Sequence, residues 1–267
     1  MIKKASLLYV VLLAFGIFSK LQAEDAEPKP LTVFAAASLT ESFKEIGVQF
    51  EKEHPGVKVV FNFGGSNQLR MQLDQGAKAD VFASANTKEM DAAVKSGLTA
   101  ADAPKVFVRN KLAVILPKNN PAKIEKLSDL SRKGLKVVLA AEQVPVGKYA
   151  LESLTKMSGD PQLGPEFKTQ VLANIVSREE NVKAVVTKVR LGEADAGIAY
   201  VSDYQGAAAQ DLAVLEIPDN FNPIAEYPIA ALSKAIQPET ARQFVAWVLS
   251  EKGQDALKKY GFLPAVK

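Results

Sequence analysis

Along most of the chain the apolar positions alternate between short continuous runs and a spacing of three and four. Leu31 to Ala37 is an unbroken apolar run preceded by Pro28 and Pro30, the pattern of a buried strand. From Ser38 the period becomes helical, with Leu39, Phe43, Ile46 and Phe50 on one face. Ser38-Leu-Thr-Glu41 has the form of a capping box, which predicts Ser38 as the N-cap of that helix. The same switch then recurs. Residues 57–63 read as a strand, and after Gly64-Gly-Ser-Asn67 the pair Leu69 and Leu73 carries a helix toward Gly76. Residues 79–84 read as a third strand, followed by a helix over 87–95. Strands alternating with helices predict a mostly parallel α/β sheet, in which ligands sit beyond the carboxyl ends of the strands.

The alternation breaks at residues 106–110 and 111–117, two β-rich runs with no helix between them. We read this as a crossing into a second lobe near residues 108–113, with a return near 219–230. The expected lobes are therefore residues 24–110 with 225–267, and residues 111–224, with a ligand cleft between them. Within the second, the pattern predicts a short helix over 126–133, a strand over 135–140 and a helix over 148–157. Before that last helix, Pro145 fixes φ and Gly147 permits an unusual backbone angle, so the N–H of Val146 can point outward. A strand over 173–177 precedes Glu179-Glu-Asn181, whose acids suit the positive end of a helix with the stripe Val182, Val185, Val186 and Val189. The strand over 194–201 carries Tyr200 near its end. Strands over 212–217 and 227–232 and helices over 238–249 and 253–259 complete the chain.

Composition narrows the chemistry. Lys3 and Lys4, the apolar core from Ala5 to Phe18 and Leu21-Gln-Ala23 form an export signal with a cut expected after Ala23, so residues 1–23 fall outside the fold. They hold three of the 33 basic side chains and no acid, which leaves 30 basic against 30 acidic groups and no basic patch suited to nucleic acid. With no cysteine there is no disulfide, thiolate metal site or lipid-anchor cysteine, and one histidine argues against a His-ligated zinc or a Ser-His-Asp triad. His54, beside Pro55 and Gly56, reads as a solvent-facing turn residue.

Four junctions remain, at 38, 66, 146–148 and 180–182, each placing small or hydroxyl residues where a strand runs into a helix. Each alone is accounted for as ordinary structure: a capping serine, a tight turn, a loop, a helix start. If the lobes face each other, however, four helix N-termini surround one point, and fixed N–H and O–H dipoles can hold an anion without a cation.

The motifs Val33-Phe-Ala-Ala-Ala-Ser-Leu39, Gly76-Ala-Lys-Ala-Asp-Val-Phe-Ala-Ser84, Val144-Pro-Val-Gly-Lys-Tyr149, Gly197-Ile-Ala-Tyr-Val-Ser-Asp203 and Tyr227-Pro-Ile229 occur in that order. As a set they resemble the molybdate-binding proteins of ATP-driven molybdate importers, within the type II periplasmic binding proteins, over residues 31–261. The resemblance implies a periplasmic, monomeric receptor without catalysis or cofactor, which delivers molybdate or tungstate to an ABC permease. It also implies that the oxyanion is held by the hydroxyls of Ser38, Ser66 and Tyr200 and the backbone N–H groups of Val146 and Val182, with no side chain ligating the metal itself. Two positions depart from the family pattern: Gly64-Gly65 stands where relatives are richer in serine, and Val146 where alanine is common. Selectivity against sulfate is expected to come from cavity size. The rival readings are a receptor for sulfate or another small oxyanion, and an exported hydrolase with Ser38 or Ser66 as nucleophile. The hydrolase lacks both a nucleophile elbow and a base other than His54.

Overall fold

A computed structural model describes residues 30–205 and 210–265; the export-signal reading of residues 1–23 lies outside the described residues. The first lobe opens with β1 (Leu31–Ala36), a 3-10 turn (Ala37–Leu39) and α1 (Thr40–Glu53), then β2 (Val59–Gly64), α2 (Ser66–Asp74), β3 (Val81–Ala83), α3 (Thr87–Lys95) and β4 (Lys105–Asn110). The second lobe holds β5 (Leu112–Pro117), a 3-10 turn (Leu127–Ser131), β6 (Val137–Ala140), α4 (Pro145–Ser158), α5 (Phe167–Ala173), β7 (Ile175–Glu179), α6 (Val182–Arg190), β8 (Ala196–Tyr200), another 3-10 turn (Val201–Tyr204) and β9 (Leu212–Glu216). The chain then returns through β10 (Ala225–Ala231), α7 (Pro238–Leu249), α8 (Glu251–Lys259) and β11 (Leu263–Pro264).

Two sheets result, ordered β11-β4-β10-β3-β1-β2 and β7-β6-β8-β5-β9. Only Lys111 separates β4 of one sheet from β5 of the other. Strands linked through helices pair in parallel, as β1 does with β2 and β3, and β6 with β7 and β8. The strands at the crossings enter antiparallel: β10 against β3 and β4, and β5 against β8 and β9. Both sheets are therefore mixed. The parallel pattern holds only where a helix supplies the crossover that parallel pairing requires.

The first lobe's core is aromatic. The Phe43 ring meets Phe61, Phe107 and Phe244 at centroid distances of 6.1, 5.9 and 6.1 Å, which presses α1 and α7 against the sheet. Burying each such ring is worth about 1.5–3 kcal/mol, so the helical stripe read from the sequence is what holds α1, and its N-terminus, at the strand ends. In the second lobe Val185 and Val189 of α6 pack on Val114, Val138 and Ile198 of the sheet, all buried. Asp80, buried at the start of β3, accepts from the N–H groups of Thr32, Ile236 and Gln237 at 2.7, 2.6 and 2.8 Å. It ties the entry to β1 to the segment before α7.

Several expectations change. The helix expected over 126–133 is a 3-10 turn, because Asp129 turns its carboxylate onto the N–H groups of Glu125 and Lys126 and tightens the chain locally. The short α5 and β11 carried too few periodic positions to stand out in the pattern. His54 is half-buried rather than solvent-facing: its ring stacks on Phe50 at 4.0 Å and its Nδ1 bonds the Phe50 carbonyl at the end of α1. No helix among the described residues is long and apolar enough to cross a membrane.

Candidate functional site

The N-termini of α2, α4 and α6 and the 3-10 turn that leads into α1 converge between the lobes on a gap with about 210 Å³ of empty space. Ser38, Ser66, Val146, Val182 and Tyr200 all line it, together with Asn181 and the small residues Ala36, Ala37, Gly64, Gly65 and Ala85. None of the described lining residues carries a charge. The first-turn N–H groups of the three helices have no acceptor within their own helix, and their dipoles aim positive ends at one volume.

Ser38 is not the N-cap of α1. Leu39 takes that position without a side-chain cap, and Glu41 points to Lys183 rather than back to the Ser38 backbone. The intervening 3-10 turn is the reason, since it buries Ser38 and turns its hydroxyl into the cleft. There Ser38 Oγ lies 2.9 Å from the Tyr227 hydroxyl. Tyr227 also accepts from Asn110 Nδ2 at 3.5 Å, and Asn110 Nδ2 donates to Ser202 Oγ at 2.9 Å. Either hydroxyl can donate in this pair; when Tyr227 donates, the Ser38 proton is left for a ligand. Burial pushes the Tyr227 phenol far above its ordinary value, so it stays a donor.

Ser66 is the first residue of α2, after Gly65 at the N-cap. Its Oγ accepts from the Ala85 N–H at 2.9 Å, which again leaves its own proton for the gap. Asn67 does not line the gap. On the other side α4 begins at Pro145, three residues before the predicted start, because proline's fixed φ and missing N–H suit the first helical position. Val146 is thus the second residue of a helix rather than part of a loop. Gly147 has no left-handed φ; a Cβ there would stand 2.1 Å from the Ala141 carbonyl oxygen, so glycine is required by space.

Neither Glu179 nor Glu180 opens α6. Glu179 ends β7, with Lys188 at 2.7 Å and Ser177 Oγ also at 2.7 Å. The N-cap is Asn181, which accepts from the Ala184 N–H at 3.1 Å and leaves Val182 as the first helical residue, facing the gap. Tyr200 ends β8 with only 1% of its surface exposed, and its hydroxyl makes no well-formed hydrogen bond, its polar neighbour being the Tyr227 hydroxyl. Burial, and then the neighbouring Tyr227, raises this phenol well above its usual value, so it can act only as a proton donor or a neutral acceptor. All five sequence-marked residues therefore meet. Tyr227 was visible as part of a motif, but no signal along the chain pointed to its bond with Ser38.

Two facing lobes and an uncharged, donor-lined gap between them define a solute-binding receptor. The chain belongs to the bacterial extracellular solute-binding protein family, whose sequence profile matches residues 31–263. It is 42% identical over 234 residues to the molybdate-binding protein ModA of Mycobacterium tuberculosis, an alignment that covers 88% of this chain and 84% of that protein. Among solved structures, the periplasmic molybdate-binding protein of Azotobacter vinelandii superposes with a TM-score of 0.77 at 22% identity, over 88% of this chain and all of that one (100%). The sulfate-binding protein SubI of M. tuberculosis superposes with a TM-score of 0.79 at 18% identity, over 89% of this chain and 87% of that one. At those identities the two structures speak for the fold alone.

Proposed function

We propose that this chain is the extracytoplasmic receptor that captures molybdate or tungstate between its lobes for an ATP-driven importer. Ser38, Ser66 and Tyr200 give hydroxyl protons to the oxyanion, and Val146 and Val182 give backbone N–H groups. The observation that carries the reading is the Tyr200 hydroxyl, buried without a well-formed hydrogen bond and facing a gap where helix N-termini meet. A buried hydroxyl left unsatisfied costs about 1–3 kcal/mol, and an anion in the gap removes that cost. Fixed neutral dipoles suit a dianion because no counter-cation has to be stripped of water as well. The 42%-identical relative named for molybdate supports this ligand above others.

The reading carries the rest with it: residues 1–23 as a cleaved export signal, a periplasmic monomer, lobes of residues 24–110 with 225–267 and 111–224, and a permease as partner. Hydrolysis is disfavoured, because His54, the only histidine, sits at the opposite end of α1 from Ser38, about 20 Å along the helix. Sulfate or another small oxyanion is the second reading, since neutral donors at helix N-termini can hold any dianion of that shape. Dialysis against excess molybdate followed by metal analysis tests the proposal. One molybdenum per chain, lost in a Ser38→Ala, Tyr200→Phe double variant that still folds, is the expected result. No retained molybdenum in the parent protein overturns it.

A further inference from the structure

Beside the donors, three contacts join the lobes across the mouth of the gap. The Lys183 ammonium lies 2.6 Å from Glu41 Oε2 and 3.1 Å from Asp203 Oδ1. Lys183 and Asp203 belong to the second lobe and Glu41 to α1 of the first. Asp203 is buried, so it holds Lys183 in place on its own side and leaves Glu41 as the partner gained on closing. Burial alone would lower the Lys183 ammonium, yet Asp203 and Glu41 keep it above its ordinary value. Nearby, Gln68 Nε2 donates to Glu180 Oε2 at 3.2 Å. Most tightly of all, a Cβ on Gly65 would stand 2.6 Å from the Glu180 backbone oxygen.

This last contact sits one residue before Ser66 and two before Val182, donors from opposite lobes. Its distance therefore controls how near those donors come. The Glu180 carbonyl has little room to retreat, because it lies between the end of β7 and the Asn181 cap of α6. We propose that Gly65, with the Glu41–Lys183 bridge beside it, positions the two donor sets by setting the width of the closed cleft. A side chain at 65 is a wedge that holds the lobes apart, and loss of the bridge removes a contact made only on closing. The inference rests on the oxyanion-receptor reading and adds to it residues that act through the spacing of the lobes rather than as side-chain donors to the ligand.

The test is stopped-flow binding of molybdate to the parent, Gly65→Ala and Glu41→Gln, with small-angle scattering of each with and without ligand. Gly65→Ala is expected to bind at least tenfold more weakly, through faster release at an unchanged association rate, and to compact less on binding. For Glu41→Gln, whose carboxylate is partly exposed, release about two- to fivefold faster is expected. If Gly65→Ala fails to fold, the release rate of Glu41→Gln decides. Unchanged release and unchanged compaction in variants of a parent that binds molybdate overturn this proposal alone. A parent that binds no oxyanion overturns the receptor reading and this proposal with it.

Discussion

The Tyr200 hydroxyl stands where it loses water and gains no well-formed hydrogen bond in return. That makes opposite demands on the empty and filled protein. Tyr200→Phe is expected to weaken molybdate binding by about 1.5–3 kcal/mol, the range for a hydrogen bond to a charged group. The same variant should leave the ligand-free melting temperature unchanged or slightly raised, since it deletes an unsatisfied group. Calorimetry and thermal melting of one preparation read both effects, and a fall in both would assign Tyr200 a structural bond instead. Ser38→Ala should cost a similar amount of binding, while Tyr227→Phe, one step removed, should cost less. At this scale the site was largely legible, because strand-to-helix junctions can be found from a change of period. The Ser38–Tyr227 bond was not, since it joins residues 189 positions apart and neither one's neighbours announce the other.

Among the elements, helix existence was read more surely than helix starts. The stripe of α6 placed its body, but the Glu pair misled about its first residue because Glu179 remains in the sheet to meet Lys188. At α4 the proline was read as part of a loop when it is the first residue of the helix. The first turn of α4 is also fixed by packing, as Gly147 lies against the Ala140 and Ala141 carbonyls at distances no Cβ can adopt. Gly147→Ala is expected to cost on the order of 2–3 kcal/mol of stability, the scale of overpacking, and to shift Val146 from the cleft. Urea unfolding measures the first effect and molybdate affinity the second.

The joint of α1 with the C-terminal helix carries a pH signature. A hydrogen bond from Lys259, assisted by Tyr260 and Gln49 but opposed by partial burial, holds Glu45 below the glutamate value of 4.5. The unfolded chain takes up this proton first as pH falls, so the contribution is present above pH 4.5 and is lost as pH drops through the folded-state value. Glu45→Gln should therefore melt lower than the parent at pH 7, with the gap closing toward pH 3. Both side chains reach solvent, so added salt should also shrink the gap. A constant gap across pH would remove the ion pair as its cause.

For the whole molecule, the important feature is that one chain builds both walls of one cavity. The pattern revealed the first crossing because two β-rich runs met without a helix, with Lys111 alone between β4 and β5. It did not reveal that the crossing strands pair antiparallel, since strand direction depends on partners far along the chain. Nor did it reveal the contacts across the cleft mouth, since Glu41 and Lys183 lie 142 positions apart along the chain. On the proposed reading, selectivity is expected to be a matter of distance, with donors held apart at fixed spacing favouring the larger of two tetrahedral dianions. The most direct test is calorimetric titration of the ligand-free chain, beginning at Glu24, with molybdate, tungstate and sulfate in turn. The account predicts tight one-to-one binding of the first two, and sulfate binding weaker by orders of magnitude. Sulfate bound as tightly as molybdate, or no binding of any of the three, would contradict it.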